Sequence, residues 1–379
     1  MILPSLKIGD LVVEKPIIQG GMGVGISLSG LASAVANEGG IGVISSIGMG
    51  FLKGERNKKG LSSNAHYLRE EIRKAKDAST KGAIGVNIMV AISDFDELVR
   101  ASIEEKADII FAGAGLPLSL PGLVKSIDPE TKTKLGAIVS SGRAANIICR
   151  SWKKKYDCLP DLIVVEGPKA GGHLGFHADQ IFDPNFKLEK LVPEVWQAVH
   201  TFTEKYGKEI PIIAGGGIYT GEDIYDIMDL GAAGVQMGTR FVATDECDAD
   251  DKFKEVYVNC KKDQISIIKS PVGLPGRVIH TEFIQQVQDG VRKPFSCPWK
   301  CLKTCNFKEV PYCIANALIS AQQGMMDDGF AFAGSNAYKV DKIISVKELF
   351  QELEKEFDAA VMEHFQEEPL KMENFSFVQ

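Results

Sequence analysis

The part of the chain up to Val242 alternates short apolar runs with amphipathic stretches, and this alternation repeats eight times. Apolar runs that are separated by helices are typical of parallel strands covered on both faces. Eight such units favour a (β/α)8 TIM barrel of the α/β class, and an open doubly wound sheet is the alternative. The candidate strands are PIIQGG from Pro16, GVISS from Gly42, AIGVNIM from Ala83, DIIFAGA from Asp108, LGAIVSS from Leu135, DLIVVEG from Asp161, PIIAGGG from Pro211 and GVQMGTRF from Gly234.

The alternation stops after Phe241, which indicates a second structural unit. Residues 243–329 mix Pro, Gly and Cys with polar helical stretches, and they predict a smaller, mainly helical lobe over the barrel mouth. Residues 330–379 contain VKELFQELEKEFDAAVMEHF, which predicts a long amphipathic helix that packs back on the barrel or on the lobe. We therefore expect three segments, at 1–242, 243–329 and 330–379.

Charge and composition exclude several classes of protein. The formal net charge of −7 argues against a broad nucleic-acid-binding face. No segment approaches the ~20 consecutive apolar residues of a membrane span. The N-terminal stretch lacks the features of a signal peptide, so we expect a cytoplasmic location in which the eight cysteines stay reduced. An exposed apolar face on the C-terminal helix would suit a homodimer.

Glycines cluster where the candidate strands end. Chemistry in a TIM barrel collects at the carboxyl ends of the strands, and glycine lets backbone N–H groups approach a ligand closely. The stretches AGGGIYTGED and QMGTRF, after the seventh and eighth strands, have the character of a phosphate cradle. Each glycine pair alone also fits an ordinary turn. A mononucleotide, a sugar phosphate and a nicotinamide cofactor all remain candidate ligands.

Five motifs between Pro16 and Phe241 resemble those of a known family. PIIQGGMG, GVNIM, EGPKAGGHLG, PIIAGGGI and GVQMGTRF are similar to the nitronate monooxygenase (2-nitropropane dioxygenase-like) family, which also includes flavin-dependent enoyl-acyl-carrier-protein reductases. The resemblance implies an FMN cofactor with its ring over the barrel top and its phosphate in the last two loops. The residues it implies for FMN binding are Gly21, Met22, Asn87, Glu166, Gly171, Gly172, Gly216, Gly217, Gln236, Met237, Gly238 and Thr239.

The resemblance also implies that His173 is the catalytic residue. The alternative for this histidine is a packing role within its loop. His177 is expected to lie in a second layer or at the surface, and Asp179 could orient either imidazole. Lys169 stands where relatives often carry an acidic residue, which alters the charge expected near the ligand.

Three functions are compatible with these motifs. The first is oxidation of alkyl nitronates with O2 to carbonyl compounds and nitrite. The second is reduction of an activated alkene by NAD(P)H through FMN, as in the enoyl reductases. The third is a non-redox barrel that binds a phosphorylated metabolite.

The lobe contains a cysteine-rich stretch, CPWKCLKTCNFKEVPYC. Its thiols at Cys297, Cys301, Cys305 and Cys313 suggest an iron–sulfur cluster or, as alternatives, zinc or free thiols. The spacing matches neither the common zinc pattern nor the usual ferredoxin pattern. A cluster would favour electron input and hence the reductase hypothesis.

Overall fold

A computed structural model describes residues 3–55, 58–292, 297, 301–302 and 305–367. Its strands are β1 Leu6–Ile8, β2 Leu11–Val13, β3 Ile17–Gln19, β4 Ile41–Ser45, β5 Ala83–Met89, β6 Ile109–Gly113, β7 Lys134–Val139, β8 Leu162–Glu166, β9 Gly172–His173, β10 Ile212–Gly215, β11 Gly234–Met237, β12 Ile265–Lys269 and β13 Pro275–Ile279. Its helices are α1 Ser29–Asn37, α2 Met49–Leu52, α3 Lys58–Ala78, α4 Phe95–Glu104, α5 Leu120–Ile127, α6 Gly142–Tyr156, α7 Leu188–Tyr206, α8 Gly221–Asp229, α9 Thr239–Val242, α10 Asp251–Val258, α11 Glu282–Gln288, α12 Ile314–Gln322 and α13 Val346–Glu367.

Strands β3, β4, β5, β6, β7, β8, β10 and β11 form a closed parallel barrel, in which β11 pairs back with β3. The predicted (β/α)8 barrel is confirmed, and the open sheet is wrong. The register places carboxyl-terminal residues of distant segments side by side. Gly215 pairs with Glu166 of β8 on one side and with Gln236 of β11 on the other.

Apolar side chains from alternate strands fill the barrel interior. The largest of them is Phe111, which is 1% exposed. Glycines on the neighbouring strands make room for its ring, since a β-carbon at Gly85 would lie 2.7 Å from Phe111 Cε2 and one at Gly136 would lie 3.4 Å from Phe111 Cδ1. The hairpin β1–β2 adds Leu6 and Ile8 to the same apolar cluster. The interior is therefore a packed core rather than a channel.

The long C-terminal helix α13 packs on the barrel side. It contacts α8, which precedes the eighth barrel strand β11, and α1, which follows the first barrel strand β3. The amide of Gly221 donates to Glu356 Oε2 at 2.8 Å, and the rings of Tyr225 and Phe357 lie 5.9 Å apart. The helix packs along the barrel, and its first residue also contacts the lobe, where the amide of Val346 donates to Glu246 Oε2 at 2.9 Å. In the described residues, none of the helices has the length and apolar character that a membrane span requires.

The lobe between α9 and α13 combines helices α10, α11 and α12 with a β-hairpin that the sequence analysis lacked. Strands β12 and β13 pair antiparallel, and β13 also pairs with β9, in the loop that follows β8. In this register Gly276 faces His173, and the amide of Leu174 donates to Pro275 O at 2.8 Å. The lobe thus holds the backbone of the predicted catalytic histidine.

The packing of Phe111 gives a test of the barrel core. Phe111→Ala is expected to lower the free energy of unfolding by about 3–5 kcal/mol, because a large cavity would remain among strands that cannot collapse. Chemical denaturation measures the change. Phe182→Ala is the control, because that ring is 79% exposed and its loss should change stability by less than about 0.5 kcal/mol. Equal denaturation midpoints for the two variants would contradict this core assignment.

Candidate active site

A cavity of about 590 Å3 opens at the carboxyl ends of the barrel strands. This volume falls within the range of about 300–1,000 Å3 that small-molecule sites occupy. Every residue that the sequence analysis assigned to catalysis or to FMN binding lines it, namely Gly21, Met22, Asn87, Glu166, Gly171, Gly172, His173, Gly216, Gly217, Gln236, Met237, Gly238 and Thr239. The barrel closure and the lobe bring these distant segments together, and their individual roles remain predictions.

Glycine is required at several of these positions because the backbone passes close to other groups. A β-carbon at Gly21 would lie 2.4 Å from Asn87 Cβ, and one at Gly171 would lie 2.6 Å from the carbonyl carbon of Ala333. Gly217 has a φ of +91°, a left-handed conformation that side chains disfavour. The glycine clusters therefore shape the cavity wall in addition to forming the turns at the strand ends.

One end of the cavity carries hydrogen-bond donors for an anion. The amides of Gly216 and Gly217 have no hydrogen-bond acceptor in the part of the chain that the structure describes. Thr239 Oγ1 accepts from the amide of Gly334 at 3.0 Å, so its own proton remains available. Ser335 Oγ is buried and has no protein partner within the described ranges. We call these four groups the donor cluster, and they suit a phosphate monoester.

His173 lies in another part of the cavity wall, beside the lobe. Its Nε2 atom lies 2.7 Å from the hydroxyl oxygen of Ser270, which is 3% exposed. The ring of Phe332 is tilted against the imidazole at a centroid distance of 4.9 Å. Burial lowers the pKa of His173 to about 4. The imidazole is therefore neutral near pH 7.

Glu166 ends strand β8 and is the second titratable group of interest. Burial raises the pKa of its carboxyl group to about 7. Near neutral pH the group therefore holds a proton in a large fraction of molecules. Glu166 therefore contributes only part of a negative charge to the cavity wall, which Asp94 also lines.

Arg277 of β13 holds the loop that precedes His173. The residue is 4% exposed, and its Nη1 donates to Pro168 O at 2.5 Å and to Ala170 O at 2.7 Å. Burial lowers its pKa to about 10, so the guanidinium stays charged at neutral pH. This contact fixes the loop between β8 and β9 from the lobe side.

The structure also shows where His177 and Asp179 lie, the two residues near His173 whose part in the site the sequence left open. His177 and Asp179 are exposed and do not line the cavity. Ser270, rather than Asp179, makes the hydrogen bond to the imidazole. Residues that the sequence analysis missed are Ser270, Arg277, Phe332, Ser335 and Asn336, which all come from segments after the barrel motifs. Only the small-residue stretch AGSN around Ser335 offered a signal of close packing.

The cysteine stretch lies next to the cavity. Cys301 lines it, and Cys297, Cys301 and Cys313 pack against the apolar cluster that contains Phe51. Burial, together with the nearby thiols of Cys313 and Cys297, raises the pKa of Cys301 to about 12. Burial also raises the pKa of Cys305. Across the described residues, no group of three or more His, Cys, Asp or Glu could hold a metal ion, so the structure gives no support to the iron–sulfur hypothesis.

A parallel barrel whose strand ends surround a ligand-sized cavity, with a histidine and a carboxyl group in its wall, defines a (β/α)8 enzyme. The sequence profile of the family described as nitronate monooxygenase matches residues 5–356 of the chain. The chain belongs to this family, as its motifs suggested. Its relatives are oxidoreductases, and so is this protein, which excludes the non-redox barrel.

Three relatives illustrate the similarity. FabK from Thermotoga maritima is 28% identical, with a TM-score of 0.73 over 94% of this chain and 96% of that chain. A probable nitronate monooxygenase of Staphylococcus aureus (strain Newman) is 27% identical over 303 residues, which are 73% of this chain and 78% of the relative. The (3aS,4S,5R,7aS)-5-hydroxy-7a-methyl-1-oxo-octahydro-1H-indene-4-carboxyl-CoA dehydrogenase of Mycobacterium tuberculosis is 29% identical over 280 residues, 74% of this chain and 67% of that protein.

The raised pKa of Glu166 predicts a pH-dependent gain from Glu166→Gln. The native carboxyl group holds its proton up to a pKa of about 7, against an ordinary value of 4.5, so wild-type stability falls as pH rises through that window. Glutamine does not titrate. The free energy of unfolding of Glu166→Gln should therefore exceed that of the wild type by an amount that grows from pH 5 to pH 7. The difference should reach roughly 3 kcal/mol at pH 8.

Thermal unfolding of ligand-free protein at pH 5 and pH 8 measures this difference. The exposed Glu189 on α7 provides the matched control, Glu189→Gln, which should change little at either pH. An equal effect of Glu166→Gln at both pH values would show that the carboxyl group titrates normally.

Proposed function

We propose that the protein is an FMN-dependent oxidoreductase that acts on a small-molecule substrate in the cytoplasm. The observation that carries this proposal is the donor cluster, because the buried hydroxyl of Ser335 and the two glycine amides fit the phosphate of FMN. Gly21, Met22, Asn87, Glu166 and Gln236 would line the flavin side of the cavity. When bound, FMN supplies the capacity to take up and release electrons.

We infer nitronate oxidation as the reaction that the geometry supports best. If Nε2–H of His173 donates to Ser270 Oγ, the lone pair stays on Nδ1, which has no partner among the described residues. A neutral imidazole of this kind would remove the proton next to a nitro group and so generate the nitronate within the cavity. The reaction would then consume O2 and yield a carbonyl compound and nitrite.

A second candidate is NAD(P)H-dependent reduction of an enoyl-type alkene. It is favoured by the apolar extension of the cavity, where Phe51, Ile92, Leu302, Ile314 and Leu318 form part of the wall. This extension offers more apolar surface than a small nitronate requires. The similarity to FabK and to a carboxyl-CoA dehydrogenase supports the same candidate reaction. In this reaction the neutral His173 would first have to take up a proton before it could protonate the alkene carbon.

Anaerobic stopped-flow absorbance separates the two reactions. Flavin-loaded protein is mixed with propyl nitronate, with NADH or with NADPH, and the flavin absorbance is followed. We expect rapid bleaching by the nitronate. Bleaching by NADH or NADPH alone, with none by the nitronate, would contradict nitronate oxidation and establish the reductase candidate.

The role of His173 gives a separate prediction. His173→Ala should retain FMN but lower kcat/KM with a neutral nitroalkane by about 10²–10⁴-fold, because general base catalysis is lost. With a preformed nitronate the loss should be smaller, since no proton is removed. His177→Ala is the control, because that side chain is exposed. Unchanged kcat/KM for His173→Ala with the nitroalkane would show that His173 is not the base.

A further inference from the structure

Lys169 is the one cation among the described residues that line the cavity. It lies in the loop between β8 and β9. Within the described ranges, its ammonium group has no carboxylate or hydrogen-bond partner. A charged group without a protein partner at a ligand cavity is available to an anionic ligand.

The backbone of Lys169 borders the donor cluster. Its carbonyl oxygen accepts a hydrogen bond from the amide of Ser335 at 3.0 Å. This bond joins the loop after β8 to the segment that carries the unpartnered Ser335 hydroxyl. The next residue, Asn336, donates from Nδ2 to Gly217 O at 2.6 Å. Three chain segments therefore meet at this end of the cavity, and Lys169 belongs to one of them.

The side chain of Lys169 extends along the same end. A β-carbon at Gly217 would lie 2.9 Å from Lys169 Cβ and 2.7 Å from Lys169 Cδ. The aliphatic stem therefore passes directly over Gly217, one of the residues with an available amide. The ammonium nitrogen is two bonds beyond Cδ, within reach of a group bound at the donor cluster.

We propose that the Lys169 ammonium is the counter-charge of the ligand's phosphate, so that this site selects FMN over riboflavin by charge as well as by neutral hydrogen bonds. The inference rests on the proposed function, because it assigns the phosphate of FMN to the donor cluster. A phosphate monoester carries about −1.5 to −2 charges at pH 7. The neutral donors of the cluster satisfy its oxygen atoms but leave this charge uncompensated, and Lys169 compensates it.

The test compares dissociation constants of FMN and riboflavin, measured by flavin fluorescence for the wild type and the variants. Lys169→Gln should weaken FMN binding about 10-fold, the order expected for loss of a charge-assisted hydrogen bond, and leave riboflavin binding unchanged. Lys169→Arg should preserve most of the FMN affinity. Lys190→Gln on α7 removes the same charge from an exposed site away from the cavity and should change neither constant.

Ionic strength provides a second readout that a packing role would not affect. The FMN affinity of the wild type should fall as salt rises from about 50 to 500 mM, and the dependence should be weaker in Lys169→Gln. Riboflavin binding should be independent of salt in both proteins. The salt dependence therefore reports the ion pair directly.

The outcomes separate this inference from the proposed function. If the wild type binds FMN but Lys169→Gln weakens both flavins equally or neither, the counter-charge role is wrong while the flavin site stands. If Lys169→Gln changes only the KM of a substrate, the ammonium faces the substrate and the inference is again wrong. A wild type that binds no FMN would contradict the proposed function itself.

Discussion

The cavity at the carboxyl ends of the strands depends on backbone segments that approach one another closely at the rim of the closed parallel barrel. Closure forces the carboxyl ends of strands that are far apart in sequence into one ring, as the pairing of Gly215 with both Glu166 and Gln236 shows. Glycine at the strand ends lets main-chain amides face the space inside that ring. A side chain at Gly21 or Gly171 would collide with Asn87 or with the backbone at Ala333, so the cavity exists only because these positions carry none.

The lobe completes a site that the barrel alone leaves open. Strand β13 adds to the short strand β9, and Arg277 holds the preceding loop, so the backbone around His173 is fixed from outside the barrel. Ser270 forms a hydrogen bond with Nε2 of His173, and burial keeps the imidazole neutral. The two ends of the cavity thus differ in character. One end offers hydrogen-bond donors and the side chain of Lys169, and the other offers a neutral imidazole packed against Phe332.

The barrel was predictable because its strands are apolar runs with helices between them, a local pattern that each segment carries by itself. The residues that the family resemblance assigned to FMN binding and catalysis do line the cavity at the barrel rim, and their roles remain predictions. The hairpin β12–β13 was not predictable in the same way, since its pairing with the two-residue strand β9 is a contact between remote segments. Ser270 and Ser335 were missed for this reason. Lys169 stands within a motif at a strand end, but the position of its side chain over Gly217 depends on how the loop between β8 and β9 folds.

The most direct measurement of the central claim is a crystal structure of the protein with FMN bound. The account predicts the phosphate within hydrogen-bonding distance of the Gly217 amide, Thr239 Oγ1 and Ser335 Oγ, with the flavin ring extending toward Glu166 and His173. Density for the phosphate at any other part of the cavity, or none at the donor cluster after soaking with excess FMN, would contradict it.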